Sequence, residues 1–220
     1  MKNPWLGFTH SDYMVHPDDV PAFEDHNSRV EEKYKFVPFL APEPWVGNVE
    51  APIVILLANP GATKENLAGE RETNPYREEF SIKNLNQSID QYPHYFLNPL
   101  LQDDPGGAWW SSRLRELIGA TSLEAVARSI VSLETIPYHS MNFKAPRKEM
   151  ATQEYTYSIL DAAVKRGAVI LAQRQLSHWA AKVPSLKGYN KVFQPNSAQS
   201  AYFSEGNYPE AFEEMVRVVK

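Results

Sequence analysis

Ile53-Val54-Ile55-Leu56-Leu57-Ala58-Asn59-Pro60-Gly61 runs apolar without a break and then stops at Asn-Pro-Gly. A strand apolar on both faces belongs in the middle of a sheet covered by helices. Pro60 lacks the amide hydrogen that would continue a ladder, and Gly61 permits a tight turn. Asn59 is thereby presented at the carboxyl end of a buried strand, the edge at which open α/β sheets bind their ligands. Asn-Pro-Gly is also good turn chemistry anywhere, so this motif alone is compatible with a turn cap and with a ligand-facing amide.

Outward from this strand the pattern alternates. Residues 130–136 read as a second strand ending before Pro137, residues 168–172 as a third, and residues 191–193 as a fourth that stops at Pro195. Helical spacing places Trp110, Leu114, Leu117 and Ile118 on one face of residues 109–118, and further helices are expected at residues 123–129, 148–166, 175–182 and 212–219. Strands alternating with helices imply right-handed βαβ units: an α/β fold, a three-layer α/β/α sandwich around a four-stranded parallel sheet with the first strand central. Residues 1–50 read as an irregular N-terminal extension with one short helix near residues 21–34. Residues 62–108, studded with breakers such as Asn74-Pro75 and Asp104-Pro105-Gly106-Gly107, read as a long insertion in a single domain spanning 1–220.

Composition narrows the classes. The 220 residues are 43% hydrophobic and 12% aromatic, enough for a full core. Cysteine is absent, which excludes disulfides and thiolate metal sites and fits a reducing, cytoplasmic setting. No signal-peptide core or membrane-length apolar run occurs, so no membrane partner is expected. A formal charge of −5 argues against broad attraction to nucleic acid or anionic membranes while leaving room for a local basic patch. None of His10, His16, His26, His94 and His178 falls in a metal-binding helix motif, and no P-loop or dinucleotide fingerprint is present, so neither metal nor cofactor is expected.

Each expected strand is followed by polar groups: Asn59 after the first, Glu134 and Tyr138-His139-Ser140 after the second, Gln173-Arg174 after the third, and Gln194 with Asn196-Ser197 after the fourth. In a parallel sheet all four sets face one edge, and convergent polar groups need partners that a ligand supplies. Glu134 and Arg174 also read as a structural ion pair, or as a pair that orients a substrate while His139 transfers protons. His139-Ser140 lacks the Gly-x-Ser-x-Gly context of a hydrolase nucleophile.

Two of these elements together resemble the uracil-DNA glycosylase superfamily. In its mismatch-specific thymine/uracil branch the first motif reads Gly-hydrophobic-Asn-Pro-Gly; Ala58-Asn59-Pro60-Gly61 is similar. The second motif follows the last strand and reads like His-Pro-Ser or Met-Pro-Ser-Ser-Ser-Ala; Gln194-Pro195-Asn196-Ser197-Ala198 is similar. The likeness spans roughly residues 50–205 and is pattern-level outside the motifs. It implies hydrolysis of the N-glycosidic bond of a deaminated or damaged base flipped out of DNA. Asn59 would orient the attacking water through its amide oxygen, with Pro60 and Gly61 shaping the turn beside the substrate. The loop of Pro195, Asn196 and Ser197 would press on the phosphate backbone, and Gln199, Tyr202 or Phe203 would fill the gap left by the flipped base. The run 141–148, with Lys144, Arg147 and Lys148, reads as a phosphate grip or as a plain solvated loop. Gln194 stands where the family has a histidine, no asparagine reads the base from the second strand, and the 62–108 insertion exceeds that of compact members. The other two readings are a non-catalytic module binding a nucleobase, nucleotide or protein, and an enzyme of different chemistry using Glu134, His139 and Arg174, with Tyr138 beside them.

Overall fold

In a computed structural model that describes residues 1–70, 74–88 and 91–219, the chain forms a mixed α/β fold around one five-stranded sheet. The strands are β1 (Trp45–Gly47), β2 (Ile53–Leu56), β3 (Ile130–Leu133), β4 (Val169–Ala172) and β5 (Val192–Phe193), in the spatial order β1-β3-β2-β4-β5. β2 lies between β3 and β4 and is parallel to both, and β5 continues the parallel set beyond β4. The apolar block thus forms an interior strand, as its composition requires. All four side chains of β2 are fully buried, each contributing about 1.5–3 kcal/mol through removal from water.

The sheet has a strand that the sequence reading did not assign. β1 pairs antiparallel with β3, Trp45 opposite Leu133 and Gly47 opposite Val131. A three-residue strand between Pro44 and the turn at Asn48 is too short to carry a period, so the expected four-stranded parallel sheet is corrected to five strands, one of them antiparallel. Residues 1–50 are also not a mere extension. Trp5, Met14, Phe23, Phe36 and Trp45 from this segment are buried to within a few per cent, and α1 (Val20–Asn27) packs its Ala22 and Phe23 into the core. Asp19 is fully buried and accepts hydrogen bonds from the Tyr138 hydroxyl (2.7 Å), the Thr152 hydroxyl (2.7 Å) and the Thr152 amide (3.0 Å). These bonds tie the first helix to the loop after β3 and to Thr152, just before the helix at Gln153–Arg166.

Alternate strand residues feed two separate cores. Val54, Leu56, Val131, Leu133 and Ile170 meet α1, α6 (Gln153–Arg166) and α7 (Leu176–Lys182). Ile53, Ile55, Ile130, Val169 and Leu171 meet α4 (Pro105–Ala120), α5 (Leu123–Ser129) and α8 (Phe212–Val219). α4 starts before residue 109 because the Asp104 carboxylate caps it, accepting from the Gly106 and Gly107 amides at 2.8 and 3.4 Å, with Pro105 at the first turn. α6 begins at Gln153 and not at residue 148; Thr152 precedes it and Gly167 closes it in the left-handed conformation. The 62–108 segment carries α2 (Lys64–Leu67) and α3 (Pro75–Leu85), and its Tyr95, Phe96, Leu97 and Leu101 lie within the second core. It is structural mass rather than a loop laid over the surface; residues 71–73 and 89–90 within it lie outside the described residues. No helix among the described residues is long and apolar enough to cross a membrane.

Two positions test this packing. Gly47 has φ +115°, and a Cβ there would lie 2.3 Å from the Ile130 carbonyl oxygen across the β1–β3 pair. Gly47→Ala is therefore expected to cost about 2–4 kcal/mol, read as a lower urea midpoint at unchanged slope. His94 is wholly buried against Trp110, ring centres 4.4 Å apart, and neither ring nitrogen has a partner among the described residues. Burial holds its imidazole down at about 3, from an ordinary 6.5. The unfolded chain therefore binds a proton that the folded one refuses between these values. Stability falls as pH drops below about 6.5, by up to roughly 1.4 kcal/mol per pH unit from this group. His94→Phe should flatten that part of the acid unfolding profile.

Candidate functional site

β2 and β3 keep a side-by-side course past their last ladder residues. The Leu57 amide donates to Leu133 O (2.9 Å), Ile136 to Ala58 O (2.9 Å) and Ser140 to Pro60 O (3.2 Å). A parallel bridge then joins Gly61 and Ser140. The two strand-end loops are thus one hydrogen-bonded unit, and Asn59 sits inside it, half-buried. Its Nδ2 donates to Ser140 Oγ at 2.8 Å, Pro60 O at 3.0 Å and Tyr138 O at 3.3 Å. Carbonyl oxygens only accept, so the amide nitrogen must be the atom facing them. The amide orientation is fixed by its neighbours, and no protein group among the described residues donates to Oδ1.

The other residues of this edge are placed differently. Ser140 Oγ donates to Asn142 O at 2.9 Å, and the His139 ring serves other groups, so His139 and Ser140 do not pair with each other. His139 is 2% exposed, with Nδ1 2.8 Å from Gly61 O and Nε2 3.0 Å from Ala41 O. The Glu43 carboxylate lies 3.8 Å from Nε2. Glu43 also accepts from the Tyr95 hydroxyl at 2.9 Å and lies 3.5 Å from Arg77, which in turn reaches Asp104 at 3.3 Å. All five of these groups are at most 9% exposed. The cavity among Ala41, Glu43, Arg77 and His139 measures about 20 Å³, room for one water and not for a substrate.

Glu134 lies just past β3 and not within it. Its Oε2 is buried without a partner among the described residues. Burial, and next the Glu43 charge, push its carboxyl well above the usual range and so favour its neutral form. The expected Glu134–Arg174 ion pair does not form. Arg174 is exposed, and its backbone amide donates to Leu56 O at 3.0 Å. Tyr138 is fully buried and committed to Asp19. Pro60 is buried and Gly61 exposed at the turn.

At the far end of the edge, the loop after β5 is braced from two sides. Asn207 accepts from the Ser197 amide at 2.9 Å and donates to Ser200 O and Tyr202 O; Gln173 donates to Ala198 O at 3.2 Å. Pro195 is half-buried, while Asn196, Ser197 and Gln199 are exposed. Asn196 and Ser197 line an open pocket of about 380 Å³ with Arg113 and Arg115 of α4, Tyr202 and Ser204. The Tyr202 ring lies 4.3 Å from the Arg113 guanidinium and 5.2 Å from that of Arg115. Its phenol is lowered by the Ser112 hydrogen bond and then by the Arg113 charge. Phe203, 0% exposed and stacked on Trp110 and Tyr208, belongs to the core and cannot reach into a duplex. On the 141–148 run, Lys148 pairs with Asp25 at 3.4 Å and Lys144 lies over the Tyr34 ring.

Sequence reasoning missed Glu43, Arg77, Asp104, Arg113 and Arg115. Only Asp104 carried a local signal, as the residue before Pro-Gly-Gly at a helix start. The others converge through tertiary packing alone.

The state of Glu134 has a measurable consequence. The folded protein keeps a proton on this acid that the unfolded chain loses above about 4.5. Stability therefore falls as pH rises from that value through the raised folded pKa, by up to about 1.4 kcal/mol per pH unit. Glu134→Gln, neutral at every pH, is expected to remove this slope and to be the more stable protein at neutral pH; equal slopes for both proteins in denaturant titrations across pH 4–8 would contradict a buried neutral acid.

No protein-family model, no curated protein and no solved structure matches the chain.

Proposed function

We propose that the protein hydrolyses the N-glycosidic bond of a deaminated or damaged base flipped out of DNA, with Asn59 holding the attacking water. The observation that carries this reading is the locked Asn59 amide: three acceptors fix Nδ2, and Oδ1 is left to accept from a water. An amide oxygen is too weak a base to deprotonate water, so it orients the nucleophile. This suffices where a sugar with cationic character attracts water as the bond to the base breaks. The interior position of β2 and the helix-fed cores on both sheet faces support the three-layer α/β/α architecture implied by the resemblance. The β5 loop would contact the phosphate backbone, and the exposed Gln199 remains as the side chain free to approach the gap in the stack, whereas Tyr202 is flanked by Arg113 and Arg115. Gln194, exposed in place of the family's histidine, leaves no charged donor to the departing base at that position.

A second reading has its own support. Both His139 nitrogens face carbonyls and burial favours the neutral form of Glu134, so the strand edge between them offers no free general base. A module that binds a nucleobase or nucleotide without turning it over needs none. Single- and double-stranded oligonucleotides bearing uracil, hypoxanthine or mismatched thymine, incubated with the protein and then cleaved with alkali, separate the two. Strand breaks support the hydrolase. Intact strands, together with DNA affinity that falls steeply with salt, support the module.

The same assay on Asn59→Ala is the sharper test. Removing the Nδ2 bonds is expected to cost about 1–3 kcal/mol, a melting temperature lower by several degrees. Turnover per folded molecule should fall on the order of 100-fold or more. A stability loss with undiminished turnover would reduce Asn59 to a turn cap.

A further inference from the structure

The pocket beyond β5 is rich in donors and poor in acceptors. Arg113 and Arg115 make no ion pair with any carboxylate among the described residues, in a chain whose acidic groups outnumber its basic ones. Arg113 projects between the Trp109 and Tyr202 rings, 5.5 and 4.3 Å from their centres, and its Nε is buried without a partner. Its carbon stem and guanidinium plane are thus pre-ordered by packing, which lowers the entropic cost of ligand contact. The hydroxyls add to this. Ser197 Oγ accepts from the Ser200 amide at 3.3 Å and Ser204 Oγ from the Asn207 amide at 3.3 Å, which leaves the hydroxyl hydrogens of both for another acceptor. One acid, Glu116, also lines the pocket; it is exposed, and its Oε1 accepts from the Glu205 amide.

We propose that this pocket is a phosphate-ester site, in which Arg113 and Arg115 hold the phosphate oxygens and Ser197 and Ser204 donate to them. Guanidinium groups match phosphate geometry and keep their charge at any physiological pH. A volume of about 380 Å³ exceeds that of a phosphate alone and falls within the range of small-molecule sites, so the ester carries a nucleoside-sized group. Tyr202 is not a platform for a base, because the two guanidiniums already flank its ring; its role is to hold them apart. The site stands independently of whether Asn59 catalyses hydrolysis, since it uses none of the β2–β3 loop residues.

Titration calorimetry of the full chain at about 50 mM salt tests it with three probes: inorganic phosphate, thymidine monophosphate and an oligothymidylate. Monophosphate binding that exceeds phosphate binding identifies a nucleotide site. Oligothymidylate binding that phosphate displaces, with a salt slope about one lower for each arginine removed, identifies a strand-backbone site. Both outcomes support the proposal. Arg115→Gln is exposed and should fold normally; it and Arg113→Gln are each expected to weaken the bound probe about tenfold or more. Asn59→Ala should bind as the parent does, which separates failure of this site from failure of the hydrolase reading. Absence of affinity for all three probes, or affinity unchanged in both arginine variants at unchanged melting temperature, overturns it.

Discussion

β2 is covered on both faces, and this burial governs the edge of the sheet. Its side chains supply both cores, so the backbone has no solvent to turn to and must leave the sheet with its polar groups paired. Pro60 removes one donor, and the loop after β3 supplies the rest: Leu57, Ala58, Pro60 and Gly61 are each matched by a residue between Leu133 and Ser140. The rigidity of Asn59 follows directly. Its amide is held because Pro60 O, which also accepts from the Ser140 amide, receives one of its bonds and Tyr138 O and Ser140 Oγ of the loop after β3 receive the others. Position and orientation of the candidate water-binding oxygen are thus by-products of how a buried strand ends.

The second constraint is electrostatic. Glu43, Arg77 and His139 border a cavity with room for about one water, Asp104 pairs with Arg77, and the Glu43 charge acts on the buried Glu134. Removing a single partner from such a group leaves a buried charge uncompensated, which is commonly destabilising by about 3–5 kcal/mol. The members come from the segment before β1, from α3, from the cap of α4 and from the β3 loop. The cluster therefore couples the N-terminal segment and the 62–108 segment to the strand edge, which explains why neither behaves as an appendage. It also accounts for the state of Glu134: the cation of the region, Arg77, is already shared by two carboxylates, and Arg174 faces solvent.

Elements with a strong local signature were legible in the sequence. The apolar block is the interior strand, Trp110, Leu114 and Leu117 are the buried face of α4, and α5 has the expected bounds. β1 was not legible because three residues flanked by Pro44 and Asn48 carry no period, and only their pairing with β3 makes them a strand. Glu134 looked like half of an ion pair because a carboxylate in an apolar run calls for a cation. Its chain neighbours do not reveal that Arg174 points outward while Glu43, nearly a hundred residues earlier, is beside it. At the strand edge, Asn59 was legible from Asn-Pro-Gly. The pocket of Arg113 and Arg115 was not, since two arginines two positions apart on a helix meet only through Tyr202 arriving from a distant loop.

Net charge and local charge point to different aspects of recognition. An overall −5 repels a polyanion at long range, so steering by the whole surface cannot bring nucleic acid to this protein. At the Debye length of a physiological buffer, roughly 8 Å, that repulsion is screened and only the nearest groups count. What a phosphate meets in the proposed pocket is two arginines without an ion-pair partner among the described residues, hydroxyls with hydrogens to donate, and one exposed carboxylate, Glu116. Such a surface associates slowly and selects by contact geometry rather than by field. On the proposed reading of the pocket as a phosphate-ester site, selection of this kind favours ligands that present one well-placed phosphate over long duplexes that present many.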